Sequence, residues 1–179
     1  MAAPTDAKSP RRNFTLYFIL TMGLISAGVF FSFRSTMRSS LAERSEVSRT
    51  HLQAIHSALK SFAAASENKS AFPDELQSLY PKFITDGEMF FHPAWPERPG
   101  YVYIPGVRPS DPPTTIMVFE NLPPGKERLQ RLALALDGSI LSLNEAGFQQ
   151  RLATQASLWQ GEKRQWQPQP VNIEQFLAR

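Results

Sequence analysis

The chain has 179 residues and a formal net charge of +3 that is spread along its length, so nothing in the charge pattern points to a nucleic-acid partner. It has no Cys, which excludes disulfides, thiolate metal sites and thiol nucleophiles. Fifteen Pro against nine Gly predicts a loop-rich domain with rigid turns, and the length leaves room for one small domain beside an anchor.

Residues 1–13 are polar, include Pro4 and Pro10, and read as a flexible tail. From Phe14 to Phe33 no side chain is charged, and Arg11, Arg12 and Arg34 bracket the run. At about 1.5 Å per residue, about 20 residues make a helix about 30 Å long, the thickness of a bilayer's hydrocarbon core. Phe14, Leu20, Leu24, Phe30 and Phe33 belong to this run. Each Leu, Ile, Phe or Val favours insertion by about 0.3 to 0.6 kcal/mol. A cleaved secretory signal has a shorter run, and here Arg34 and Arg38 separate the run from the nearest small-residue site, Ser40-Leu41-Ala42. A buried helix of a soluble domain seldom stays apolar all round over this length. The segment predicts a single transmembrane helix, with membrane lipid as its partner. Lys8, Arg11 and Arg12 before it and Arg34, Arg38, Arg44 and Arg49 after it leave the orientation open.

Residues 34–66 contain no Pro or Gly and predict a helical stem that continues the anchor. Its first half is nearly all polar and reads as unpacked. Its second half places Leu52, Ile55, Leu59 and Phe62 at the spacing of one apolar face, beside Ala54, Ala58 and Ala63.

Residues 67–153 read as a small α+β globular domain. Asp74 is placed to cap a short helix that buries Leu76 and Leu79 and stops at Tyr80-Pro81. An aromatic, Pro-rich segment from Phe83 through Trp95 plates one edge of the core. Tyr101 to Ile104 and Thr115 to Phe119 read as strands. Arg131 to Leu143 reads as a hairpin with Asp137-Gly138 as a two-residue turn. That register puts Leu132, Leu134, Leu141 and Leu143 on one face, to pack against the stripe from Leu52 to Phe62. Asn144 caps a helix from Glu145 to about Ala153 with Phe148 and Leu152 inward. Residues 154–179 read as a polar C-terminal tail in which Trp159 and Trp166 are candidate partner contacts and Ile173, Phe176 and Leu177 a last docked turn.

The chemistry-bearing residues do not assemble into a site. His51 and His56 are five apart, not stacked at i and i+4, and His92 before Pro93 suits a packing or turn role. Asp86, Glu88, Asp111 and Glu120 are scattered without Asp-x-Asp spacing, so no calcium loop is expected. No phosphate loop, nucleophile elbow or His-x-Glu metal signature occurs, and no base and nucleophile pair suggests a hydrolase. The reading is a non-enzyme with no cofactor and no metal.

Arg12-Asn13-Phe14-Thr15-Leu16 resembles the prepilin signature, and Phe72-Pro73-Asp74-Glu75-Leu76, Leu79-Tyr80-Pro81 and Asp137-Gly138-Ser139 resemble the globular part of pseudopilin-like proteins of planctomycete and verrucomicrobial type. Over roughly Arg11 to Leu152 the chain is similar to a type IV pilin or type II secretion pseudopilin. That resemblance implies a pilin-like α+β fold: a long N-terminal helix, its start in the membrane, packed farther along on a small antiparallel sheet. It also implies a tail in the cytoplasm, a globular domain outside the inner membrane, and a role in a secretion or pilus-like envelope system beside other pilin-like subunits. Asn13 stands where the family has its leader glycine and Phe18 where it has a glutamate, so the implied relative is uncleaved and permanently anchored. The alternative is an anchored extracytoplasmic binding module that keeps the fold and does not assemble.

Overall fold

The computed structural model describes residues 43–65, 71–126 and 129–177, with helix and sheet mixed. The chain divides into Met1–Glu43 and Arg44–Arg179, and the described residues from Arg44 onward belong to the second unit. The predicted anchor, with Phe14, Leu20, Leu24, Phe30 and Phe33, lies outside the described residues, as do the tail before it and the first part of the stem.

Helix α1 occupies residues 43–64. Leu52, Ile55, Ala58 and Leu59 are buried on it and Phe62 packs at the margin of the core. The polar half of the stem, expected to be unpacked, is packed as far back as Arg44: that side chain is 8 % exposed and Ser48 is 0 % exposed. The reason is spacing. Arg44, Ser48, Leu52, Ile55 and Leu59 succeed one another by three or four residues, so the polar pair extends the same helix face.

After α1, Leu76–Leu79 form a 3-10 turn with both leucines buried. The residue at its start is Glu75, not Asp74, and no side chain caps it. A second such turn, Gly87–Phe90, is capped by Asp86, whose carboxylate accepts from the Glu88 N–H. Strands β1 (Phe91–His92) and β2 (Trp95–Pro99) pair as a small hairpin.

The main sheet is antiparallel and takes its strands in the order β6-β5-β4-β3-β7. They are β3 (Tyr101–Tyr103), β4 (Ile116–Glu120), β5 (Arg131–Ala135), β6 (Ile140–Leu143) and β7 (Gln169–Pro170). The three central strands β3, β4 and β5 are buried on both faces at nearly every position, which requires a layer on each side. α1 supplies one. The other is α2 (Glu145–Gly161), whose Phe148 meets Phe119 of β4 edge-on at 4.9 Å.

The β5–β6 hairpin corrects the predicted register. Its loop has three residues, Leu136, Asp137 and Gly138: the Gly138 N–H donates to Ala135 O, and the Ala135 N–H to Ser139 O. A two-residue type I′ turn needs positive φ at both Asp137 and Gly138, and only Gly138 has it, at 90°. The observed loop is a type I turn closed by a left-handed glycine, with the Asp137 side chain accepting from the Ser139 N–H. Leu136 is drawn out of the ladder as its N–H donates to Thr115 O. Pairing becomes Leu134 with Ile140, Ala133 with Leu141, Leu132 with Ser142 and Arg131 with Leu143. A slip of one residue exchanges the faces of the second strand. Leu132 and Leu134 face α1, while Leu141 and Leu143 share the α2 face with Arg131, whose guanidinium lies 4.5 Å from the Phe148 ring.

The C-terminal segment also departs from the expected polar tail. α2 runs on to Gly161, and Trp159 near its end is buried against Trp166. Then β7 completes the sheet, Val171 and Ile173 are buried, and α3 (Glu174–Leu177) lays Phe176 flat on Phe90 at 5.2 Å. Polar residues dominate this segment in number, but those few apolar ones recur where each turn of chain meets the core.

Candidate functional site

The polar residues that α1 brings against the sheet form one cluster. Arg44 is placed by the first described turn of the helix and Glu120 by the end of β4, and they pair at 3.6 Å with both side chains buried. The same guanidinium donates to Gln130 O at 3.3 Å, and Glu120 also accepts from the Leu132 N–H at 2.9 Å. One helical turn on, Ser48 lies beside the Tyr101 phenol, which is opposite Glu120 on β3 and which burial pushes up from its ordinary pKa. The next turn adds His51, 6.3 Å from the Tyr101 ring. His92, from β1, closes the cluster with its ring 4.3 Å from that of Trp95.

The cluster holds more polar atoms than it pairs. Among the described residues, Arg44 Nε and Nη1, Ser48 Oγ, His51 Nδ1, His92 Nε2, Tyr101 Oη and Glu120 Oε1 are buried without a hydrogen-bond partner. His92 Nδ1 accepts from the Ala94 N–H at 3.1 Å, so the neutral ring carries its proton on Nε2. Burial, reinforced by Arg44, Arg98 and His51, holds its pKa down to about 4. His51 is also lowered, by burial against a smaller opposing effect of Asp86. What the arrangement does chemically is hold a neutral ion pair and two hydroxyls between helix and sheet, fixing the rotation of α1 about its axis.

The other expected site residues lie apart from it. Leu52, Ile55, Leu59, Leu132 and Leu134 are fully or almost fully buried, and Leu141 and Leu143 are half-buried on the far face. His56 sits against the hairpin loop, its ring where a side chain on Gly138 would have to go. Of the four carboxylates considered for calcium, Asp86 and Glu88 share one turn, which Asp86 caps, while Glu120 faces Arg44 and Asp111 binds Arg164 at 2.8 Å. No cluster of three or more metal-ligating side chains occurs among the described residues.

Two open grooves flank α2. One, about 890 Å3, runs between the 105–110 loop and the segment from Lys163 to Gln169. Its wall is braced by Arg164, which lies 4.0 Å over the Trp159 ring, pairs with Asp111 and Glu162 and donates to Gly106 O. Burial alone would raise the Asp111 carboxyl, but the hydrogen bonds from Arg164 and the Arg108 N–H outweigh it and hold the pKa below its ordinary value. The second groove, about 430 Å3, lies between α2 and the β5–β6 side, bordered by Leu143, Gln150, Arg151, Thr154 and Leu158. At its floor the Gln155 carboxamide accepts from the Ile116 N–H and donates to the Ile116 C=O, each at 2.9 Å, completing the backbone at an irregularity in β4.

Sequence alone does not group Arg44, Ser48 and Glu120, because polar residues in a helical stem read as exposed and Glu120 lies far from them in the chain. The signal was present in the three-and-four spacing that links Arg44 and Ser48 to Leu52. Gln155 has no such signal, since a lone Gln in a helix reads as solvated. No family model matches the chain, and comparison with curated proteins and with solved structures yields no match.

Proposed function

We propose that this chain is a non-catalytic, single-pass membrane protein of pilin-like architecture, acting as a structural or assembly component of a secretion or pilus-like envelope system. The observation that carries the reading is α1: a helix with one buried face lying along an antiparallel sheet, downstream in sequence of the uncharged run from Phe14 to Phe33. Among the described residues no helix is long and apolar enough to cross a membrane; in this reading the anchor is the uncharged run from Phe14 to Phe33, whose length suits a bilayer core. In this reading the tail stays in the cytoplasm, the sheet domain lies outside the inner membrane, and function resides in packing against lipid and protein neighbours. The buried polar cluster supports a packing role, because a helix keyed in rotation presents the same outer face in every copy.

Asn13 and Phe18 favour a second reading, an anchored module that binds a partner without assembling. Crosslinking in native membranes separates the two. Adducts with other pilin-like subunits support the assembly component, and a lone monomer or a single soluble partner supports the module. Recovery of the full-length chain in the soluble fraction without detergent overturns both. The intact mass is expected to begin at Met1, and a start at Phe14 would overturn the uncleaved assignment.

A further inference from the structure

The two edges of the main sheet are built differently. At one edge the Val171 N–H donates to Tyr101 O and Gln169 pairs with Tyr103, so by alternation the backbones of Pro170 and Pro168 face away from β3. Proline has no N–H, and β7 therefore offers a neighbouring strand no donor there. At the other edge the bonded pairs are Ala135 with Ser139, Ala133 with Leu141 and Arg131 with Leu143, which leaves the N–H and C=O of Ile140 and Ser142 pointing outward. Among the described residues nothing bonds to them. β6 has no charged residue, no Pro and no bulge, the devices that normally guard an edge. Its Leu141 and Leu143 are only half-buried, and the adjoining groove leads to Leu158, 58 % exposed.

We propose that β6 is a homotypic docking edge, at which a second copy of this chain adds its own β6 antiparallel about a two-fold axis through Leu141. Two observations select a second copy. With β7 closed to donors, head-to-tail pairing of β6 on β7 keeps only the bonds that the proline C=O groups accept and loses the other half of the ladder, whereas β6 with β6 satisfies both copies fully and closes at two. The strand is also self-complementary. Antiparallel pairing about Leu141 sets Ile140 opposite Ser142 of the second copy, so each outward N–H meets an outward C=O, and it sets Leu141 against Leu141 with no like charges opposed. A four-residue ladder covers far less than the roughly 1,200 Å2 of a stable free interface, so the contact is strengthened by whatever holds copies at one surface. Only that last point leans on the anchored reading.

The absence of Cys makes the test direct on the full-length chain in detergent micelles. Under mild oxidation Leu141→Cys should yield a disulfide dimer, since the Cβ atoms of such an opposed pair lie about 4.5 to 5.5 Å apart. Gln167→Cys, beside the proline-closed edge, should yield little. In the Leu141→Cys background, Ile140→Pro removes one outward donor from each copy and should lower dimer yield by about tenfold. Ser142→Lys, at an exposed position, places a charge on the edge and should act the same way even if the proline variant does not fold. Equal yields from positions 141 and 167, no dimer from position 141, or a yield untouched by Ser142→Lys would overturn the proposal. A dimer in micelles that is lost in native membranes would also overturn it, since a shared surface should strengthen the contact; a position-141 dimer from a chain that proves soluble without detergent would leave this edge standing and count against the anchored reading alone.

Discussion

Glu120 is the residue whose change should be felt most, because it is wholly buried and faces the nearly buried Arg44. Glu120→Gln keeps an acceptor for the Leu132 N–H but strands the guanidinium, and should cost about 3 to 5 kcal/mol in denaturant unfolding. Adding Arg44→Met should recover most of that loss, since an apolar replacement of both partners leaves no orphaned charge. A double variant no more stable than Glu120→Gln would show that the pair is not the coupled unit. His92 gives a pH dependence with a definite sign. Its folded pKa, about 4, lies below the ordinary 6.5, so the unfolded chain binds the proton first. Its contribution is complete above about pH 6.5 and fades as pH falls toward 4, by up to about 3 kcal/mol. His51 and His56 are shifted in the same direction, so the wild-type chain should lose stability more steeply than one group allows. His92→Asn, whose Oδ1 can accept from the Ala94 N–H, should flatten the curve in unfolding titrations from pH 7 to 4.5; an unchanged slope would remove His92 as a source.

At the scale of elements, the hairpin is where a local choice decides a face. Gly138 has φ of 90°, and a Cβ there would collide with His56 Cε1. Gly138→Ala should therefore cost about 1 kcal/mol for the left-handed backbone and more for displacing the ring. In a His56→Ala background the second part should vanish, so the double-variant cycle is non-additive by about 0.5 kcal/mol or more. An additive result would mean the ring moves aside freely. The hairpin itself was legible in Arg131 to Leu143, but not its register. Asp-Gly serves a two-residue and a three-residue loop equally well, and the choice was made by Thr115 and Pro113, which accept from the Leu136 and Asp137 N–H groups and are remote in sequence. The apolar stripe on α1 was legible because Leu52, Ile55 and Leu59 are unambiguous. Its polar extension was not, because a charge is buried only when a partner such as Glu120, distant in sequence, meets it.

At the scale of the molecule, the C-terminal segment both closes the core and guards an edge, and the two roles can be separated. Deleting residues 168–179 removes buried Val171 and Ile173, each worth about 1.5 to 3 kcal/mol, together with the Phe176 contact on Phe90. That loss approaches the whole stability of a domain this size, about 5 to 15 kcal/mol, so the truncated chain should unfold or aggregate. The substitution pair Pro168→Ser and Pro170→Thr keeps every buried side chain and restores the outward N–H groups. It should change unfolding stability by less than about 1 kcal/mol, since Thr suits a strand and both sites lie at the margin. What should change is the order of association. A chain with one open edge stops at a pair, whereas a chain with two can add copies at both ends without closing. Sedimentation of the full-length variant in micelles should then show species larger than dimer that grow with protein concentration, where the parent chain shows none. If the variant sediments as its parent does, the two prolines are ordinary turn residues and the asymmetry of the sheet edges has no bearing on how copies meet.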